Sequence, residues 1–215
     1  METRVSTVPS LNALQHDALV ELFNIGVGQA ACALSEIVGD EVTMAVPTIR
    51  FLDRAAAAAV MGSEMRVCGV RQHYEGGLRT EAIVMFAEDK SLDIVRLMVG
   101  DAVPFDELTA MEQEAMGEIG NIVLNSCVGT LANLFERELR GSLPVVQIAS
   151  SAAILGAAAA GDAEDGNPIV LMLHIDLALE AHRIHGFIAF VLDMQALGEL
   201  CALVDAWLAR LHPGS

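Results

Sequence analysis

Two long stretches of the chain carry apolar residues at helical spacing. From Leu11 to Val38 the apolar positions Ala18, Leu22, Ile25, Ala30, Leu34 and Ile37 recur with the period of one helix face. Ser10 or Asn12 offers an N-cap and Gly39 a stop. A second long helix is expected from about Ala110 to Arg140, opened by a Thr109/Glu112 capping box and ended by Gly141. Between and after them the pattern shortens. Glu41 to Leu52 reads as a strand whose Pro47 suits an edge or a bulge. Asp53 to Met61 reads as a short helix. Met65 to His73 and Leu78 to Ala87 read as a strand pair about Gly76-Gly77, and Ser91 to Val99 as a helix ended by Gly100. The second half follows suit: a strand-like Pro144 to Ile154, a turn cluster from Gly161 to Pro168, then strand-like Ile169 to Leu179 and Ile184 to Leu192. A last helix carries Leu197, Leu200, Cys201, Val204, Trp207, Leu208 and Leu211.

The order of elements therefore occurs twice, over about residues 11–100 and 108–211. This predicts one domain, residues 11–211, of the α/β (α+β) class with pseudo-two-fold symmetry. Neither half is expected to bury its sheet alone.

The polar positions of the two long helices repeat as well. Asp17, Glu21 and Asn24 recur 97 residues later as Glu114, Glu118 and Asn121, and Pro47 recurs as Pro144. Positions i, i+4 and i+7 share one helix face. In the first helix Asp17, Glu21, Asn24, Gly28, Ala31 and Ser35 lie roughly opposite the apolar stripe centred on Leu22. In the second, Glu114, Glu118, Asn121, Asn125 and Ala132 are placed alike, with Asn125 where the first helix has Gly28. A single Glu-x-x-Asn has almost no specificity; two copies with matching flanks and a matching proline have much more.

Composition narrows the function classes. The chain has 215 residues, 53% of them hydrophobic and 19% charged, which excludes intrinsic disorder. Its apolar runs are too short for a spanning helix and METRVSTVPS lacks a signal-peptide core, so a cytoplasmic location is expected. The net charge of −17, with 12 basic against 29 acidic residues, argues against a nucleic-acid partner. Cys32, Cys68, Cys127 and Cys201 form no CxxC pair and read as reduced, mostly buried thiols. Gly26-Val-Gly28 follows no strand, so it is no nucleotide loop, and no GxSxG elbow is present. His182 and His185, with His174 and Asp176 nearby, read as turn and strand-edge histidines; no further ligand spacing supports a metal site.

The stretches Asn24-Ile-Gly-Val-Gly-Gln-Ala-Ala31 and Glu118-Ile-Gly-Asn121-Ile-Val-Leu-Asn125 resemble the two conserved stretches of the CheC family of response-regulator phosphatases, which includes CheX and FliY types. The resemblance runs from about Leu11 to Leu211, with Glu114 where the family usually has Asp or Ser. It implies two long helices packed on a mainly antiparallel sheet built from the duplicated halves. No additional flagellar-motor domain of the FliY kind is expected after Trp207.

The activity it implies is hydrolysis of the aspartyl phosphate of a CheY-like response regulator. Asn24 and Asn121 would each orient the attacking water, Glu21 and Glu118 would contact the regulator's active-site lysine, and Asp17 and Glu114 would dock the partner. No cofactor or metal of its own is implied; Mg2+ is expected in the regulator. CheD, a receptor-modifying protein, is a further partner of such proteins, and a non-catalytic adaptor binding CheD or a regulator is the alternative. If one copy has drifted, Glu114 and Asn125 point to the second.

Overall fold

A computed structural model describes residues 11–99, 105–156, 168–179 and 182–211. The turn cluster at Gly161 and the stop at Gly100 lie outside the described residues. The first helix, α1 (Ala13–Val38), is capped by Asn12, whose side chain accepts from the Gln15 N–H while Gln15 reaches back to the Asn12 N–H. It ends where Gly39 turns into the left-handed region at φ 80° and donates to Ser35 O. There follow β1 (Val42–Asp53), α2 (Arg54–Met61), β2 (Arg66–Gly76), β3 (Thr80–Ala87) and α3 (Glu88–Val99). The second series is α4 (Phe105–Phe135), the short β4 (Leu139–Gly141), β5 (Val145–Ser150), the single-turn α5 (Ser151–Ile154), β6 (Ile169–Leu179), β7 (His182–Leu192) and α6 (Met194–Leu211).

The seven strands form one sheet in the order β1-β6-β7-β3-β2, with β4 and β5 both pairing β2 on its far side, and every pairing is antiparallel. Exchanging β1, β2 and β3 for β5, β6 and β7 reproduces that order read from the other end, with β3 and β7 meeting at the centre. The expected fold class is thus the one observed. Pro47 sits where predicted: β1 is an edge strand, and its register with β6 shifts between Ala45 and Thr48.

One face of the sheet is covered by α1, α3, α4 and α6. Leu19, Leu22, Val27, Met116, Ile119 and Leu124 are buried there against Val70, Val84, Leu173 and Ile188. Phe23 and Phe190 pack at 5.3 Å between ring centroids. α1 is long and apolar enough to cross a membrane, but half of its most apolar stretch is buried in this core. The opposite face is covered only in part, by α2 and α5 over Ile83, Met85, Val170 and Met172.

Two glycines set how closely α4 sits. A Cβ on Gly120 would lie 2.5 Å from the Val70 side chain, and one on Gly26 would lie 2.8 Å from Cys127 Cα. The first is where α4 rests on β2, the second where α1 meets α4.

Both ends of α4 depart from expectation. The helix begins at Phe105, so Thr109 lies inside it; Glu112 is buried instead, taking a 2.5 Å hydrogen bond from Ser91 Oγ of α3. It stops at Phe135, six residues before Gly141, because Glu136 adopts φ 54°. Arg137 N–H then donates to Ala132 O and Glu136 N–H to Asn133 O, a Schellman closure made without glycine. Arg210 of α6 secures it, donating to Leu134 O and to the Glu136 carboxylate at 2.6 Å each. Among the thiols, Cys68 and Cys127 are buried as expected, Cys201 partly so, and Cys32 is exposed.

Candidate functional site

Asp17 and Glu21 are exposed on α1, and Glu114 and Glu118 are exposed on α4, while Asn24 and Asn121 are half-buried. Each asparagine therefore lies one turn below a solvent-facing carboxylate. Among the described residues, cavities of about 220 to 410 Å3 open on the strands and helix ends, and their linings do not include these residues. The carboxylates of the two motifs stand exposed on helix faces away from those cavities, a position that suits contact with a partner rather than enclosure of a small molecule.

The surroundings of the two asparagines differ. Asn24 is engaged by its own chain: Oδ1 accepts from Val46 N–H at 2.9 Å, and Nδ2 donates to Val46 O at 3.2 Å and to Val20 O at 2.9 Å. Proline holds the residue before it extended, so Pro47 fixes Val46 with its N–H and C=O both available to the amide. This accounts for the distance between asparagine and proline in the first copy. Ser35 makes a parallel contact, accepting from Val42 N–H at 2.9 Å. The chain reverses at Gly39 and β1 runs back along α1. The eleven residues from Asn24 to Ser35 rise about 16 Å as helix, close to the ~14 Å that four residues span as strand. The face holding Asn24, Ala31 and Ser35, though opposite the stripe centred on Leu22, therefore meets β1, and Ala31 is buried.

In the second copy Leu143 holds the position of Val46, and Asn121 does not bond to it. Leu143 is 85% exposed, and its carbonyl accepts from Ser142 Oγ at 3.0 Å. Asn121 Oδ1 instead accepts from Gln72 Nε2 at 3.1 Å and from Asn125 Nδ2 at 2.7 Å. Gln72, itself buried, also donates to Ser142 O at 2.9 Å. Tyr74 Oη lies 3.0 Å from both Gln72 Oε1 and Asn125 Oδ1, and its single proton is shared between these two acceptors. Burial pushes the Tyr74 phenol well above its ordinary range, so it stays a neutral donor. Among the described residues the Asn121 Nδ2 group has no protein acceptor, whereas both Nδ2 hydrogens of Asn24 are taken. Exposed Leu143 and Val145 lie just beyond Ser142 on the strand side of this copy, and Met111 is exposed on α4.

Gln72, Tyr74 and Ser142 were not singled out as site residues. Alternation along β2 places Gln72 on the same face as Cys68, Val70 and Tyr74, and a lone amide at a core-face strand position is the signal that marks it. No sequence spacing ties it to Asn121, 49 residues away.

The chain is similar to known proteins in both sequence and fold. The family model of CheC-like proteins matches residues 14–50, which holds the first motif and its proline. The CheY-P phosphatase CheC of Bacillus subtilis is 26% identical over 145 residues, 66% of this chain and 69% of that protein. The flagellar motor switch phosphatase FliY of the same organism is 22% identical over 149 residues, 68% of this chain but only 39% of its own length. The FliY structure from Thermotoga maritima superposes over 93% of this chain and 100% of its own, with a TM-score of 0.73 and 20% identity, which shows the shared fold. The family match on α1, the homology to CheC and FliY and the fold shared with the Thermotoga maritima FliY structure together relate this chain to the CheC-like proteins.

Proposed function

We propose that the chain is a protein-aspartate phosphatase acting on a phosphorylated CheY-like response regulator. The carrying observation is the Glu118/Asn121 pair: an exposed carboxylate one turn above an amide held by Gln72 and Asn125, whose Nδ2 group is unengaged among the described residues. The homologous CheC is named a CheY-P phosphatase, which supports the same reading.

An aspartyl phosphate is an activated acyl phosphate. The regulator supplies Mg2+ and a lysine about the phosphoryl group, and what it lacks is a placed water. A neutral amide is no general base, so its contribution is orientation of that water for in-line attack, as the water-positioning glutamine of small GTPases does. The glutamate one turn earlier pairs with the regulator's lysine. Such a contact is worth about 1.5–3 kcal/mol once shielded and under about 1 kcal/mol at an open rim. Asp17 and Glu114, a further turn away, belong to the docking rim.

The hydrogen bonds favour the second copy as the more active, although Glu114 and Asn125 had marked it as the drifted one. Asn24 must leave Val46 before it can act, and Asn121 need not leave the side chains that hold it. The test is decay of a 32P-labelled regulator with wild type, Asn24→Ala, Asn121→Ala and the double variant. Acceleration by wild type that is lost in the double variant supports the reading, and acceleration that survives in the double variant refutes it. A wild type that binds the regulator without accelerating decay would instead be an adaptor.

A further inference from the structure

The partly covered face of the sheet brings together three side chains that sequence spacing left apart. β6 and β7 pair with Asp176 opposite His185 and His174 opposite Phe187, so His174, Asp176 and His185 converge. Their ligating atoms all lie within 4.8 Å of one another. His185 Nδ1 is 2.7 Å from Asp176 Oδ1, and His174 Nε2 is 3.7 Å from the same oxygen. The His174 ring stacks on Phe187 at 5.1 Å, which fixes its plane. All three reach solvent.

The first half of the chain shows what such a site contains when it is self-sufficient. On β2 and β3, Arg71 and His73 stand two residues apart on one strand and Glu81 lies opposite His73, the same arrangement as His174, Asp176 and His185. There Arg71 Nη1 donates to Glu81 at 2.9 Å, and His73 lies 3.5 Å from the same carboxylate. That trio carries its own guanidinium. The second trio is two imidazoles and a carboxylate, and among the described residues Asp176 pairs only with the two histidines. Arg50 of the neighbouring strand and Arg183 of β7 are exposed and outside ion-pair distance of it.

We infer that His174, Asp176 and His185 bind a divalent transition-metal ion of the zinc class, completed by water. Two imidazole nitrogens and one carboxylate oxygen are the donor set such ions take. Tetrahedral ligation at about 2.1 Å places ligand atoms roughly 3.4 Å apart. The His174–Asp176 separation already matches this, and the His185–Asp176 pair must open by about 0.7 Å, within reach of a rotamer adjustment. The site lies on the other side of the sheet from α1 and α4, so it is independent of the proposed phosphatase surface.

The test is titration of metal-free, tag-free protein with Zn2+ against a chromogenic chelator, in a Cys32→Ser background that removes the exposed thiol. One Zn2+ per chain is expected, with affinity falling at least about tenfold in each of His174→Ala, Asp176→Asn and His185→Ala and unchanged in His182→Ala. Co2+ should give a visible d–d spectrum that the same three variants abolish. Wild-type protein that takes up no Zn2+ at about 100 μM, or a triple variant that binds as wild type does, overturns the assignment.

Discussion

Asn24 and Asn121 occupy matching positions, yet their removal should damage the protein in opposite ways. In Asn24→Ala the Val46 N–H and C=O, on a residue only 2% exposed, lose their side-chain partner. Stranding a buried polar group costs about 1–3 kcal/mol, and taking ~2 kcal/mol predicts a fall in Tm of about 4–8 °C for a chain of this size. In Asn121→Ala the buried Gln72 amide loses one acceptor but keeps its bond to Ser142 O, and exposed Asn125 turns to water, so a smaller cost of about 1 kcal/mol is expected.

Activity should show the reverse order. Freeing Asn24 breaks two bonds to Val46, at about 1 kcal/mol net each, so its copy works at a disadvantage of roughly 30-fold. Asn121→Ala should then lower kcat by about 30-fold, down to the rate of the first copy, and Asn24→Ala should leave most of it. The assay is single-turnover decay of the phosphorylated regulator, run beside thermal melts so that each rate refers to folded protein. Two results would overturn the reasoning: a folded Asn24→Ala that loses more activity than Asn121→Ala, or an Asn24→Ala as stable as wild type.

Three further perturbations test the same structure. Glu118→Gln should raise KM about tenfold at low ionic strength with little change in kcat, and that gap should close in 1 M salt; a kcat effect alone would move Glu118 from docking to chemistry. Gly28→Ala, whose Cβ meets nothing within 4 Å, should stabilise α1 by about 1 kcal/mol, whereas Gly26→Ala and Gly120→Ala should destabilise by about 1–3 kcal/mol, all read from denaturant midpoints. Burial pushes the Cys68 and Cys127 thiols up to about 12, so at pH 8 each is roughly 10⁻⁴ thiolate; a thiol reagent should label Cys32 promptly and reach the buried pair only on unfolding, and fast labelling of Cys127 in the native protein would contradict its packing.

What sequence alone made legible were features that depend on spacing within one element. The Glu-x-x-Asn pairs, the cap at Asn12, the stop at Gly39 and the edge strand with Pro47 are of that kind. The errors arose where a second element took over a local role. α4 stops at Phe135 because Glu136, held by Arg210 of the last helix, is a left-handed residue that carries no glycine signal. Thr109 and Glu112 have capping-box spacing, but Ser91 of α3 takes the glutamate into the interior. The proposed zinc ligands carry no sequence signal because His174 and Asp176 lie on one strand and His185 on the next, and only the register of that hairpin closes the triangle.

The same distinction bears on the two copies. Matching residues show where each half places an asparagine, and they do not show what holds it. In the first copy the holder is backbone, Val46, fixed by Pro47; in the second it is a set of side chains from β2 and α4, with Leu143 turned out to solvent. A backbone clamp has a stabilising role that survives any loss of catalysis, so keeping Asn24 is not by itself a sign of activity. The Gln72–Tyr74–Asn125 network is different in kind. It keeps polar groups inside a core-face strand position, where an apolar residue of similar size would stabilise at least as well. Such a network is explained if its product is a positioned Asn121, and Gln72→Leu then becomes the sharpest separation of the two roles. It should leave or raise the melting temperature, because an apolar side chain replaces a buried amide, while kcat falls as Asn121 loses its anchor. A Gln72→Leu protein that melts lower and turns over normally would show that the network serves the fold alone.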